Sequence, residues 1–255
     1  MNTKTLIWYL LKNMSKDVYT IIYSVCLPIA LLVGLYMFFE DPGYRGQLLA
    51  GVLALNTMMG ALNLTAFDVL QPRNRGVLKL VKATPVKLVS FMAAFASARL
   101  LFTFALNAAV LLVAAIGFGV HVSLLEALAM LVVLFAGSLP LLGLGFLCGN
   151  LAGHEGQVNM LTNLLCFPMI FTSESFYSMA HAPNWAIAIG KALPYKPFVE
   201  GLNSAMGGNF AALPQQLLLL AAFSLAAWVL AAVTFRWDSS EKAGGARFRR
   251  TGIQR

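Results

Sequence analysis

Charged side chains are scarce in this sequence of 255 residues. Only 11% of them are Asp, Glu, Lys or Arg, whereas 59% are hydrophobic. Soluble domains carry about 25% charged residues, so the composition excludes an ordinary soluble domain and indicates an integral membrane protein. The three cysteines match no zinc or disulfide framework, because their number is odd and their spacing fits neither.

Sequence motifs of enzymes are absent as well. No GxxxxGK[ST] occurs to hold the phosphates of ATP, and neither HExxH nor GxSxG is found. The histidines His121, His154 and His181 are far apart and are predicted on both sides of the membrane, which argues against a shared metal site. We therefore predict no catalytic residue, no cofactor and no metal in this chain.

Long uncharged runs are present instead, and they predict an all-α integral membrane fold. A helix needs about 20 apolar residues to cross about 30 Å of hydrocarbon. One transmembrane domain is predicted over residues 1–238, followed by a basic cytoplasmic tail over 239–255. The six predicted spans cover residues 18–39, 46–68, 97–118, 124–149, 156–173 and 214–235.

Two further elements are predicted outside the spans. The first 17 residues have a short apolar core cut off by Lys12, and Trp8 suits the headgroup level, so we predict an interfacial helix. The segment between the fifth and sixth spans is apolar but broken by three prolines. It predicts an outer re-entrant element of two short helices that dip into the outer leaflet, the second near Pro197–Met206.

Lysine and arginine predict the orientation of the chain. Six spans put both termini on one side, and that side carries fifteen of the 18 cations, against Arg45, Lys191 and Lys196 on the other. Cytoplasmic loops of membrane proteins are enriched in Lys and Arg. Both termini are therefore predicted to be cytoplasmic.

Polar uncharged side chains mark the second and fifth spans. In each, they recur at spacings that put them on one helix face. Such residues either make hydrogen bonds between helices, worth about 0.6 kcal/mol each, or line a substrate cavity, and both roles can hold together. The candidate path residues are Asn56, Met59, Asn63, Phe67, Asn159, Thr162, Asn163, Cys166, Phe167 and Ile170.

Ionisable residues are almost missing from the predicted spans. Asp68 and Arg99 are expected at cytoplasmic ends, and Glu126 at an outer end. A proton or ion path needs ionisable side chains within the membrane. We therefore predict that the chain is not a carrier that drives itself.

The stretch "RNRGVLKLVKATPV", residues 73–86, lies between the second and third spans. On a helical wheel, Arg75, Lys79 and Lys82 share one edge and apolar residues share the opposite one, which predicts an amphipathic surface helix ended by Pro85. Anchoring on anionic lipid and docking of a cytoplasmic partner both explain such a helix.

Part of this stretch, "RGVLKLVKATPV", resembles the Gly-x-Leu-(Lys/Glu)-x-Leu-x-x-(Ala/Thr)-Thr-Pro segment after the second span of type-2 ABC transporter permeases. Six spans, an interfacial first helix and the outer element "MAHAPNWAIAIGKALPYKPFVEGL" are also similar to that family, across essentially the whole chain. The chain looks most like bacterial drug and natural-product exporters such as the daunorubicin-resistance permeases. Many members have Glu-Arg-Glu before the glycine where this chain has "QPRNRG". An acidic docking groove on the partner would match its charge.

The resemblance implies the permease of an ATP-driven exporter in the bacterial cytoplasmic (inner) membrane, moving a drug, natural product or lipid-like substrate outward. Implied partners are two copies of a separate ATPase subunit that binds ATP and Mg, a second permease copy in a homodimer, and membrane lipids, but no nucleic acid. Second and fifth spans of both copies would line the path. The implied coupling and docking residues are Arg73, Arg75, Gly76, Leu78, Lys79, Lys82, Thr84 and Pro85. The alternative is a non-transport membrane scaffold or immunity protein that docks a partner with the same basic helix.

Overall fold

The computed structural model describes residues 8, 11–12, 18–39, 42–76, 88–118, 123–176 and 182–235. Throughout these residues the regular structure is helical, with no β-strand. The all-α class predicted from the uncharged runs is therefore confirmed for this part of the chain. A helix satisfies its backbone hydrogen bonds within one segment, which is what an apolar run in lipid requires.

The second predicted span is one continuous helix that changes its winding in the middle. It begins as an α-helix, passes through a π-helical turn at Met59–Leu64, termed the π segment here, and continues as an α-helix. The elements are α1 (Val18–Phe38), α2 (Pro42–Met58), the π segment, α3 (Thr65–Asn74), α4 (Leu88–Phe118), α5 (Leu124–Leu151), α6 (Glu155–Phe171), α7 (Asn184–Lys191), α8 (Tyr195–Met206), a 3₁₀ turn (Phe210–Ala212) and α9 (Leu213–Thr234).

Among the described residues, four helices are long and apolar enough to cross a membrane: Tyr44–Asn74, Ser90–Gly117, Leu124–Leu151 and Phe210–Thr234. They occupy the second, third, fourth and sixth predicted spans. Helices α1 and α6 occupy the first and fifth, but the apolar part of α1, Val25–Phe38, and the 17 residues of α6 are shorter than these four. The six-span layout therefore stays a prediction.

Helix α5 lies at the centre of the bundle because its glycines let other helices approach closely. A Cβ atom on Gly145 would lie 2.6 Å from the backbone oxygen of Leu62, and one on Gly149 would lie 2.7 Å from that of Ala66. Close helix approach, which overlapping GxxxG motifs predict, is thus confirmed at these two glycines. The π segment and α3 rest directly on this glycine face.

The two ends of the bundle are held by different contacts. At one end, where α3 ends, Arg73 Nη1 donates to the Asn150 oxygen at 2.9 Å, and Asn150 Nδ2 donates to the Ala231 oxygen at 2.9 Å. At the opposite end, where α2 begins, Gln47 Nε2 donates to the Glu174 oxygen at 2.9 Å. The ends of α3, α5 and α9 therefore lie together, opposite the start of α2.

Several predicted elements are described only in part. Of the predicted interfacial helix, the structure describes Trp8, Leu11 and Lys12, and all three are helical. Lys12 Nζ lies 4.7 Å from the centroid of the Trp8 ring. Two short helices, α7 and α8, follow the fifth predicted span. That they dip into the outer leaflet stays a prediction. The basic stretch from residue 77 to 87 and the tail over 239–255 lie outside the described residues.

Candidate functional site

The predicted path residues of the second and fifth spans meet at Asn63. Its Nδ2 lies 3.2 Å from Met59 Sδ within the π segment and 3.9 Å from Cys166 Sγ on α6. Asn63 and Met59 are half-buried, as are Phe67 and Ile170. The structure thus places an amide and two sulfurs where the two helices touch.

The polar face predicted on α6 is divided by the packing of the helix. Thr162 is fully buried, with its hydroxyl donating to the Val158 oxygen at 2.9 Å, and Cys166 is buried too. Asn159 and Asn163 are exposed in the protomer. The four side chains lie on one face of the helix, as their spacing predicts, but the boundary between packed and open surface runs through that face.

The open face of α6 combines large apolar side chains with the two amides of Asn159 and Asn163. Phe167 and Phe171 stack on each other with ring centroids 6.5 Å apart and an interplanar angle of 18°. No described residue covers this face. Its apolar members, each more than half exposed, are Met160, Leu164, Phe167 and Phe171.

Asn56, in contrast, belongs to the contact between α2 and α4. It is buried, and its Nδ2 donates to Asn107 Oδ1 at 3.1 Å, while Asn107 Nδ2 donates to Thr57 Oγ1 at 2.9 Å. The predicted shared face of Asn56 and Asn63 is wrong, because the π segment changes the winding between them and turns Asn63 away. Asn56 therefore packs helices together and does not line the path.

Arg99 lies inside a candidate span and not at its end. Helix α4 begins at Leu88, ahead of the predicted start at residue 97, so Arg99 sits about 13 Å along the axis from Ser90, the first residue of the candidate span. It is 1% exposed, and its Nη1 lies 3.3 Å from Asp68 Oδ2. The helix therefore extends well beyond the predicted start of the span, and Asp68 compensates the charge of Arg99 within the bundle. That Arg99 lies near the cytoplasmic boundary of the membrane stays a prediction.

This ion pair also weakens one reason for excluding a self-driven carrier, since an ionisable pair does lie within the candidate spans. Asp68, however, is paired with a guanidinium at 3.3 Å. A signal in the sequence marks the face of α4 that carries Arg99. Arg99, Thr103 and Asn107 recur every four residues, which places them on one face of α4.

Two of the predicted docking residues are buried or conformationally constrained. Arg73 is 4% exposed, and its guanidinium donates to the backbone oxygens of Asn150 and Ala152. It therefore cannot present its charge to a partner, which corrects the prediction for this residue. Gly76 ends α3 with φ +74°, a left-handed conformation that favours glycine, and its N–H donates to the Arg73 oxygen.

Arg75 is exposed beside Gly76 and remains a candidate for docking. The other predicted docking residues lie outside the described residues. They are Leu78, Lys79, Lys82, Thr84 and Pro85.

A charged cluster lies between the end of α6 and the start of α8. Lys196 Nζ is 3.6 Å from Glu174 Oε1 and 3.8 Å from Glu200 Oε1. Partial burial raises the pKa of Glu200, and the ammonium group of Lys196 offsets part of that rise. Within the described part of the chain, no group of three or more His, Cys, Asp or Glu is placed to hold a metal ion.

Comparison with known protein families identifies a family for this chain. The family model described as ABC-2 type transporter matches residues 1–207. The matched range contains α1 to α8 and also the whole basic stretch between α3 and α4. No curated protein matches the chain.

Proposed function

The chain belongs to the ABC-2 type transporter family, whose members are membrane permeases, and from this premise we propose that it exports an amphipathic or hydrophobic substrate. The substrate class is a drug, a natural product or a lipid-like molecule. Movement is outward across the bacterial cytoplasmic membrane. ATP hydrolysis takes place on a separate subunit, because this sequence has no phosphate-binding motif of its own.

The open face of α6 is the observation that carries this proposal. Apolar side chains are stable in contact with lipid, but the exposed amides of Asn159 and Asn163 are not. A polar group in hydrocarbon that lacks a hydrogen-bond partner carries a free-energy cost. A face that combines apolar side chains with amides suits the wall of a substrate path that contacts water. Asn63, at the junction with α6, supplies a third amide nearby.

A second copy of the chain completes the proposed path. One protomer provides a wall but leaves the α6 face open, so two copies facing each other would enclose a cavity. We therefore propose a homodimer with two ATPase subunits, which bind ATP and Mg. The arrangement of the helix ends supports cytoplasmic termini, since the ends of α3, α5 and α9 lie together on the side that holds most cations.

The docking surface for the ATPase is proposed at Arg75 and the basic stretch that follows it. Gly76 turns the chain out of α3 into that stretch, with its positive φ providing the change of direction. A Cβ atom at this position would be strained. Gly76→Ala and the double change Thr84→Ala with Pro85→Ala should therefore uncouple ATP hydrolysis from transport.

The experiment that tests this proposal is co-expression with the ABC ATPase subunits of the same genome, followed by purification of the complex. We expect the ATPase to co-purify and the variants at Gly76 or Thr84 and Pro85 to hydrolyse ATP without transport. Gly34→Ala is the matched control, because a Cβ there meets no atom within 4 Å. Normal transport in the variants would overturn the coupling role, and failure of any ATPase to bind would favour a scaffold or immunity protein.

A further inference from the structure

The two helices that flank the basic stretch are tied together by an ion pair. Asp68 lies on α3, which leads into residues 77–87, and Arg99 lies on α4, which leads out of them. Arg99 Nη1 and Asp68 Oδ2 are 3.3 Å apart, and the guanidinium is almost fully buried. A movement of α3 relative to α4 must therefore break this contact, whereas a movement of both helices together preserves it.

The same guanidinium also binds the π segment. Arg99 Nε donates to the backbone oxygen of Gly60 at 2.9 Å. Carbonyl groups at the borders of a π-helical turn lose their ordinary helical partners, and a side chain from a neighbouring helix can replace them. Gly60 permits the approach, because a Cβ there would already lie 3.3 Å from Thr103 Oγ1 on α4.

The π segment in turn carries Asn63, which contacts α6. Gly60 and Asn63 lie three residues apart within it, and Asn63 Nδ2 reaches Cys166 Sγ at 3.9 Å. Contiguous contacts therefore lead from α3 and α4 through one guanidinium and one carbonyl to the amide at the proposed path. The opposite side of the π segment is confined by Gly145 of α5, so the π segment has little room to move independently.

We propose that Arg99 is a positioning residue that transmits movement of α3 and α4 to the π segment and so sets the position of Asn63 against α6. The inference rests on the proposed function, since it gives the route by which the ATPase acts on the path. Asp68 holds the guanidinium in place, and the Gly60 carbonyl receives the displacement. The substrate never contacts Arg99.

Two substitutions separate this role from simple packing. Arg99→Lys keeps a positive charge near Asp68 but removes the planar fork that serves the carboxylate and the carbonyl at once. Asp68→Asn keeps the shape and removes the charge. The matched control is Asn107→Ala, which breaks buried hydrogen bonds on the same face of α4 without touching Arg99.

The measurement is the amount of substrate moved per ATP hydrolysed by the complete complex in proteoliposomes, with a hydrophobic fluorescent dye as the transported probe. We expect Arg99→Lys and Asp68→Asn to lower this ratio roughly two- to thirty-fold, the range found for residues that modulate coupling between sites. Asn107→Ala should lower thermal stability and leave the ratio unchanged. An unchanged ratio in both test variants would overturn the proposal.

A cross-link gives a second readout that packing alone would not move. Asn63→Cys places a thiol beside Cys166, in a background with Cys26→Ser and Cys148→Ala. With copper phenanthroline and oxygen as the oxidant, we expect ATP to change the yield of the 63–166 disulfide, and Arg99→Lys to abolish that change while a basal yield remains. If neither Arg99→Lys nor Asp68→Asn gives folded complex, both groups are structural and the proposal fails. If the unsubstituted complex shows no ATP-dependent transport, the proposed function itself fails, whereas a complex that transports but ignores Arg99→Lys refutes only this inference.

Discussion

Arg73 donates from Nη1 to the backbone oxygen of Asn150 at 2.9 Å, which joins the C-terminal end of α3 to the C-terminal end of α5. Its Nη2 donates to the Ala152 oxygen just beyond α5. A cation at the C-terminus of a helix binds carbonyl groups that have no hydrogen-bond partner within the helix. It is also attracted by the negative end of the helix dipole. The helix that leads into the basic stretch is thus fixed to the centre of the bundle, while the neighbouring Arg75 points away from it.

Arg73 and Arg75 should therefore respond differently to the same substitution. Arg73→Gln removes charged hydrogen bonds to buried carbonyls and should lower stability by about 2–3 kcal/mol, seen as a lower thermal midpoint in detergent. Arg75→Gln should leave the midpoint unchanged and weaken binding of the ATPase subunit, as measured by titration of the purified partner. Equal loss of ATPase binding in two equally stable variants would contradict this division.

The asparagines near the proposed path should likewise divide into residues that affect transport and residues that affect stability. Asn163→Ala and Asn159→Ala remove exposed groups, so we expect changed preference among transported dyes with unchanged yield of folded protein; Asn63→Ala should act likewise. Asn56→Ala leaves Asn107 Oδ1 without its donor and should cost about 1–2 kcal/mol of stability. Parallel transport assays and thermal unfolding of all four variants check this. Loss of folded protein in the Asn163 variant would show that it is a packing residue.

Gly145 provides a test of the close packing behind the π segment. Gly145→Ala would push a methyl group to 2.6 Å from the Leu62 oxygen, and because backbone cannot yield as a side chain does, stability should fall by about 1–3 kcal/mol. Gly34→Ala, in open space on α1, should be neutral or slightly stabilising. Thermal unfolding of the two variants side by side decides the matter. Equal midpoints would mean that α5 and the π segment are not in this contact.

The charged cluster around Lys196 predicts a pH dependence of stability. Partial burial raises the pKa of Glu200. The folded protein therefore holds that proton more tightly than the unfolded chain, and this contribution to stability is lost as pH rises from about 4.3 through the folded pKa. The stability of the unsubstituted protein relative to Glu200→Gln should fall across this window. Lys196→Met removes the opposing cation and should extend the window to higher pH, whereas a pH-independent difference would contradict the assignment.

Helix positions could be predicted from the sequence because charges interrupt the apolar runs. The limits of α5 and α9 agree closely with the predicted spans. The start of α4 could not be predicted in this way. Arg99 looks like the end of a span until Asp68 is known to compensate it, and that contact joins two helices whose pairing no local pattern shows.

The candidate site could be predicted only where residue spacing shows which face of a helix a side chain occupies. Asn63 and Cys166 were placed correctly on facing helices, but Asn56 was placed on the wrong face, because a π-helical turn has no local sequence signature. Its extra residue is accommodated by contacts from other helices, with Gly145 on one side and the Arg99 guanidinium on the other. Phase beyond such a turn depends on tertiary packing and not on spacing.

ATP-dependent accumulation of a hydrophobic dye in inside-out membrane vesicles tests the central proposal most directly. The vesicles contain this permease together with the ATPase subunit that co-purifies with it, and a matched preparation carries that ATPase with its phosphate-binding lysine replaced. Export predicts accumulation inside the vesicles with the intact ATPase and ATP, and none with the replaced lysine. Equal accumulation in both preparations, or in neither, would contradict an ATP-driven exporter for these substrates.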